Sequence, residues 1–231
     1  MSIDITWLGH SAFHFVLDGR PILIDPFLTG NPLAAASADQ PSAEIIFLSH
    51  AHGDHTGDTL VIAQRTGAKI VANFEIASYY GRNKNVQTHG QNPGGSFNHG
   101  FVTAKWTVAH HSSSFPDGTY GGQPNGFILT CHESGLKIYF AGDTSLFSDM
   151  KLIGDHGIDI ALLPIGDNYT MGIDDSIQAT QFVRPRYVLP MHYNTFPLIA
   201  QDAQAWARRI AAETDATPVV LDPGGKHSFG R

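Results

Sequence analysis

Ser49-His50-Ala51-His52-Gly53-Asp54-His55 is the stretch whose reading decides this chain. Three imidazoles and one carboxylate follow directly after Ile45 to Leu48, a short apolar run of the kind that forms a strand buried on both faces. His50 and His52 are two apart, so in an extended segment they point the same way. Gly53 then opens a turn that aims Asp54 and His55 at a second point close by, just ahead of a helix. Four ligand-type side chains this close suit two adjacent cations better than one. A solvated polar loop has no reason to concentrate histidine behind a buried strand.

Working outward, the first half reads as strands and helices separated by Gly, Pro and Asn. Ile3 to Trp7 alternates like a half-buried strand. Phe13 to Leu17 and Pro21 to Asp25 flank Asp18-Gly19, a strong hairpin signal. Gly57 to Thr66 is expected as a helix closed by Gly67, Lys69 to Ala72 as a strand, and Phe74 to Tyr80 as a helix. Asn83 to Asn98, rich in Gly and Asn, is expected as a long loop. The second half repeats the layout. Strands are expected at Phe101 to Ala109, Phe127 to Thr130, Leu136 to Ala141, Ile158 to Leu163 and Tyr187 to Leu189. Helices are expected at Ser148 to Asp155, Asp174 to Val183 and Leu198 to Glu213. Such halves predict a layered α/β protein with two sheets. No linker separates them, so residues 1–231 are read as a single domain.

Composition narrows the function. Fourteen basic and twenty-one acidic side chains leave a net charge of −7, which argues against a nucleic-acid surface. The lone Cys131 excludes an intrachain disulfide and every Cys-rich zinc module; it is read as a buried, inert thiol. Met1-Ser2-Ile3-Asp4 opens no signal peptide, and no apolar run approaches the roughly 20 residues that span a bilayer. The expectation is a cytoplasmic protein with no membrane partner. The anomaly is histidine, 13 of 231 residues. Metal ligation is the readiest explanation.

The motif HAHGDH resembles the HxHxDH signature of the metallo-β-lactamase superfamily. His111 after the strand Phe101 to Ala109, Asp143 in Ala141-Gly142-Asp143-Thr144 and His192 in Pro190-Met191-His192-Tyr193-Asn194 fall where that superfamily carries its other ligands. Trp7-Leu8-Gly9-His10-Ser11, Asp25-Pro26-Phe27 and Met191-His192-Tyr193-Asn194-Thr195 are similar to the L-ascorbate-6-phosphate lactonase-like group. The resemblance covers essentially the whole chain. It implies a four-layer αββα sandwich, the metallo-β-lactamase fold. It also implies a first metal on His50, His52 and His111, a second on Asp54, His55 and His192, and Asp143 bridging both. Nitrogen and oxygen donors alone suit zinc first, then manganese or iron.

His110 and His111 are neighbours that face opposite ways, so one of them is the ligand. His111 is preferred because it precedes Ser112-Ser113, as the ligand does in the lactonase-like group. His10 is a candidate for touching substrate or acting as an acid, with a satisfied structural histidine as the alternative. His89, in the long loop, is a candidate for the site mouth. Asp167-Asn168 and Asn194 are candidates for contacts to substrate or to the ligands. His14, His99, His132, His156 and His227 read as structural or surface residues.

The implied chemistry is hydrolysis. Two divalent cations bring +4, and Asp54, Asp143 and a bridging hydroxide bring −3, a net +1 that favours an anionic small molecule. Metal ligation lowers the pKa of water from 15.7 to about 7, so hydroxide is available to attack an ester, lactone or phosphoester. Asp54 would orient that hydroxide or take up its proton. A phosphodiesterase or nuclease of the same superfamily is the alternative, but it usually carries an inserted domain and a basic surface. Thioester hydrolysis would need a glutathione-binding C-terminal region that is not recognisable here. The zinc β-lactamases lack the bridging carboxylate of Asp143. A mononuclear iron oxidoreductase is a further alternative on the same scaffold. A metal-binding protein without catalysis has little use for an open bridged pair, since structural zinc sites are closed. Related small hydrolases often assemble, so a homo-oligomer is compatible with this reading.

Overall fold

The alternation at the start of the chain becomes β1 (Ile3–Gly9) in the computed structural model, with Ile3, Ile5 and Trp7 buried and Asp4 and Thr6 half-buried between them. The structure describes residues 3–82 and 85–230; Met1, Ser2, Asn83, Lys84 and Arg231 lie outside that description. β2 (Ala12–Leu17) and β3 (Arg20–Ile24) form the hairpin around Asp18-Gly19, both at positive φ (50° and 87°). β4 (Ile45–Phe47) is fully buried and ends just before the histidine motif. Then follow α1 (Gly53–Thr56), α2 (Thr59–Thr66), β5 (Lys69–Asn73), α3 (Phe74–Gly81), β6 (Gln87–Gln91) and β7 (Ser96–Asn98). The remaining elements are β8 (Val102–Val108), β9 (Asn125–Cys131), β10 (Lys137–Phe140), α4 (Met150–Gly154), β11 (Ile160–Pro164), α5 (Ile173–Val183) and β12 (Tyr187–Met191). They close with α6 (Ala203–Glu213), β13 (Thr217–Pro218) and β14 (Lys226–Phe229).

The described strands form two seven-stranded sheets, in the orders β14-β1-β2-β3-β4-β5-β6 and β13-β12-β11-β10-β9-β8-β7. One core runs between them, where Phe13, Phe15 and Phe47 of the first sheet meet Trp106, Phe127 and Phe140 of the second. Burying each such ring contributes about 1.5–3 kcal/mol. A second apolar cluster joins Leu23, Ile46 and Ile70 of the first sheet to Ile62 and Ala63 of α2 and Ile76 of α3. On the far side, α5 packs on β11, and Trp206 of α6 donates through its ring nitrogen to Ser176 of α5 at 3.2 Å. Helices outside both sheets make the four-layer αββα sandwich. Cys131 is buried, and burial pushes its thiol up to about 12, as an inert thiol requires.

The structure corrects several expected boundaries. Asn83 to Asn98 is not a plain loop: it holds β6 and β7, the edge strands of the two sheets. Gly57 to Thr66 is not one helix. At Gly57 (φ 24°) the backbone presses against Pro26 and Phe27 so closely that an added Cβ would sit 2.7 Å from either. The Asp58 carboxylate there accepts from the Leu28 and Thr29 backbone N–H groups, at 2.9 and 2.8 Å. Leu198 to Glu213 begins as a single 3₁₀ turn (Pro197–Ile199), and α6 starts only after Asp202, which caps the Gln204 and Ala205 N–H groups at 2.9 Å. The helix expected at Ser148 to Asp155 shortens to Met150–Gly154. β13 and β14 were not expected from the sequence. No helix among the described residues is long and apolar enough to cross a membrane.

Candidate metal centre

β1, β3 and β4 run parallel to one another in the first sheet, and β8, β10, β11 and β12 do so in the second. Their carboxyl ends meet along one rim of the sandwich. Backbone bonds join the sheets there: His192 N–H donates to the His10 carbonyl at 3.1 Å, and Asn125 N–H to the Ser49 carbonyl at 3.0 Å. Ligand-type side chains leave this rim directly after β1 (His10), β3 (Asp25), β4 (His50), β8 (His111), β10 (Asp143) and β12 (His192). His10, Asp25 and His192 sit at φ 58°, 43° and 55°. This left-handed conformation is uncommon outside glycine and is held where function needs a side chain aimed.

Two groups result. His50, His52 and His111 bring one ring nitrogen each within 4.8 Å of one another. His50 Nε2 and His52 Nδ1 are 2.9 Å apart. Beside them stand Asp54, His55, His192 and also His10, within the same distance of one another. Asp143 Oδ2 lies between the groups, 2.9 Å from His192 Nε2, 3.3 Å from His55 Nε2 and 3.7 Å from His111 Nε2. The other oxygen, Asp143 Oδ1, is buried without a hydrogen bond, as is His55 Nε2. Orphaned buried donors and acceptors are costly, and a bound cation would satisfy this set. All seven expected ligands are therefore brought to one place, and their nitrogen and oxygen donors fit divalent metal ions.

The electrostatics come from burial and crowding. Burial drives the His50 ring well below its usual range, and the charge of His55 adds to it. Burial also lowers His52 and His111, and pushes His10 down to about 4. For His55, burial acts the other way from the carboxylates of Asp143 and Asp25, and the carboxylates win, holding it well above the imidazole range. Burial alone would raise Asp143 and Asp54. His192 and His55 hold Asp143 well below the carboxylate range, and contact with His10 and the charge of His55 do the same for Asp54.

The sequence reading passed over Asp25 as a site residue. It is fully buried; its oxygens accept from Ser49 N–H at 2.8 Å and Ser49 Oγ at 2.6 Å, and Oδ2 lies 2.8 Å from His55 Nδ1. It fixes the orientation of the His55 ring, the role that carboxylates behind metal-bound histidines play. Its signal was present: a single acid, followed by Pro26, at the end of the apolar run Ile22-Leu23-Ile24.

Other candidates separate. His111 faces Asp143, whereas His110 turns away and stacks on Phe147 with ring centroids 4.8 Å apart. His89 is on β6 against Phe97 and His99, apart from the cluster. Asn194 spends its side-chain oxygen on Gln201 N–H at 2.8 Å, closing a turn. Asn168 is exposed at φ 50°, and its N–H donates to Asp167 Oδ1 at 2.8 Å.

A family profile described as "Beta-lactamase superfamily domain" matches residues 4–192. A protein named UPF0173 metal-dependent hydrolase from Thermus thermophilus is 48% identical over 228 residues, covering 96% of this chain and 97% of that one. One of the same name from Carboxydothermus hydrogenoformans is 48% identical over 225 residues, covering 96% and 98%. Among solved structures, Igni18, a metallo hydrolase from Ignicoccus hospitalis, is 38% identical with a TM-score of 0.91 over 100% of both chains.

Proposed function

The chain belongs to the metallo-β-lactamase superfamily, and from that premise we propose that it is a metal-dependent hydrolase working with two divalent cations, zinc first among them, on an ester, lactone or phosphoester of a small molecule. The observation that carries this reading is the convergence of His192, His55 and His111 on one oxygen of Asp143, whose other oxygen is buried and unpartnered. His50, His52 and His111 would hold the first cation, Asp54, His55 and His192 the second, and Asp143, within reach of His55, His111 and His192, would serve both. When bound, such cations supply hydroxide at neutral pH and polarise the substrate oxygen.

The chain's own residues do the rest. Asp25 and Ser49 fix the tilt of His55, so its Nε2 reaches the centre without a search through rotamers. Asp54 is about one-third exposed (32%) and held ionised, so it presents a carboxylate oxygen that orients the nucleophile or takes up its proton. The Phe27 and Phe196 rings pack edge-to-face against the His10 ring, with centroids 5.9 and 5.8 Å from its own, and limit water on that side. None of the ion pairs that Arg or Lys makes among the described residues involves the cluster. An anionic substrate group would therefore be held by the cations rather than by a basic side chain.

Metal analysis of purified protein, with a screen of carboxylic and phosphoric esters and lactones, tests the reading. Two equivalents per chain are expected, and Asp143→Asn should lower kcat/KM at least about 100-fold. One equivalent, with binding and turnover untouched by Asp143→Asn, would refute it.

A further inference from the structure

We propose that His10 is a ligand of the second cation, a donor beyond the seven that the family resemblance supplies; this rests on the two-cation reading above. His10 is 0% exposed, and it joins Asp54, His55 and His192 in a group whose ligand atoms, one from each residue, all lie within 4.8 Å of one another. Nε2 is buried with no hydrogen-bond partner, although Asp54 Oδ2 is only 3.3 Å away. The approach is close but not aligned for a hydrogen bond. A nitrogen left in that state costs about 1–3 kcal/mol unless something else satisfies it.

The opposite edge of the ring says what that something is. His10 Nδ1 lies 2.8 Å from Thr195 Oγ1, and the Thr195 hydroxyl faces the Tyr193 carbonyl at 3.4 Å. With the hydroxyl proton directed to the carbonyl, Thr195 Oγ1 accepts from Nδ1–H, and Nε2 carries its lone pair. That lone pair then faces a carboxylate oxygen, a repulsive pairing that a cation between them converts into two bonds. One ring nitrogen on a hydrogen-bond acceptor and the other on the ion is the usual arrangement of metal-bound histidine.

The ring is also built into place. The His10 carbonyl accepts from Trp7 Nε1 at 2.9 Å and from His192 N–H at 3.1 Å, fixing the left-handed backbone that aims the side chain. The His192 ring lies 4.2 Å away, centroid to centroid. With His10 the two groups are unequal. The second draws on the buried imidazoles of His10, His55 and His192 with the part-exposed Asp54 (32%), the first on His50, His52 and His111, of which His111 is 14% exposed, and Asp143 faces both.

The test uses the full chain, stripped of metal and reloaded with cobalt(II), followed by titration and by NMR of the hyperfine-shifted exchangeable ring N–H protons. Wild-type protein should take two equivalents and show six such protons, from His10, His50, His52, His55, His111 and His192. His10→Gln should keep the first equivalent at its normal affinity, bind the second about 10–100-fold more weakly, and lose one shifted proton. Thr195→Val, which keeps the ring but frees Nδ1, should weaken the same equivalent by a smaller factor. Two bound equivalents in wild-type protein with no shifted ring proton assignable to the buried His10 would overturn its assignment and leave the two-cation reading standing. The same holds for unchanged affinities in His10→Gln. A single equivalent in wild-type protein would overturn both. The assignment of the wild-type protons decides the matter even if a variant fails to fold.

Discussion

At the scale of the residue, Asp25 shows how much of the site sits behind the ligands. Its two oxygens carry three contacts, to Ser49 N–H, Ser49 Oγ and His55 Nδ1, all in full burial. Burial raises its pKa, and the contacts with His55 and Ser49 oppose that rise. Asp25→Asn should weaken metal binding about 10–100-fold, read by competition with a chelating dye, because the amide leaves the His55 ring poorly oriented. Members of the cluster were legible in the sequence where they were local: the spacing of His50, His52, Asp54 and His55 carries its own geometry. His111, Asp143 and His192 were found through resemblance, on motifs at strand ends. Asp25 and the second contact of His10 were not legible, because each depends on a neighbour brought in from elsewhere: Asp25 is 30 residues from His55 and His10 is 185 from Thr195.

At the scale of the element, strands with apolar alternation or buried runs were readable and strands without them were not. β6 is Gln-Thr-His-Gly-Gln, with no apolar face; it is a strand because β5 offers it an open parallel edge, register Lys69 to Gln87 through Asn73 to Gln91. β14 likewise exists by pairing with β1. Tertiary pairing decides such segments, whatever their own preference. The turn after β10 makes the opposite point. Gly142 (φ 64°) passes so close to Asn125 that an added Cβ would sit 2.5 Å from the Asn125 carbonyl oxygen. Gly142→Ala should cost about 1–3 kcal/mol of backbone strain, plus the clash. Scanning calorimetry should show a fall in Tm of at least roughly 2–10 °C for a chain of this size. The following residue is Asp143, so metal affinity should fall with it.

At the scale of the whole molecule, the centre lies on the seam between two sheets. His50, His52, Asp54 and His55 come from the first half, and His111, Asp143 and His192 from the second. Ions that bind only the assembled seam add to the stability of the fold, by about 2.7 kcal/mol when free metal is 100-fold above Kd. A chelator should therefore lower Tm by roughly 5–11 °C, and readdition of metal should restore it. No shift on chelation would mean that the halves hold their places without the ions. The seam also ties the protein's lifetime to its supply of metal. Proteases act on transiently opened chains, and the population of open chain follows stability. Copies that never acquire their ions are the ones opened and degraded first, so metal scarcity would lower the amount of protein as well as the fraction that is active.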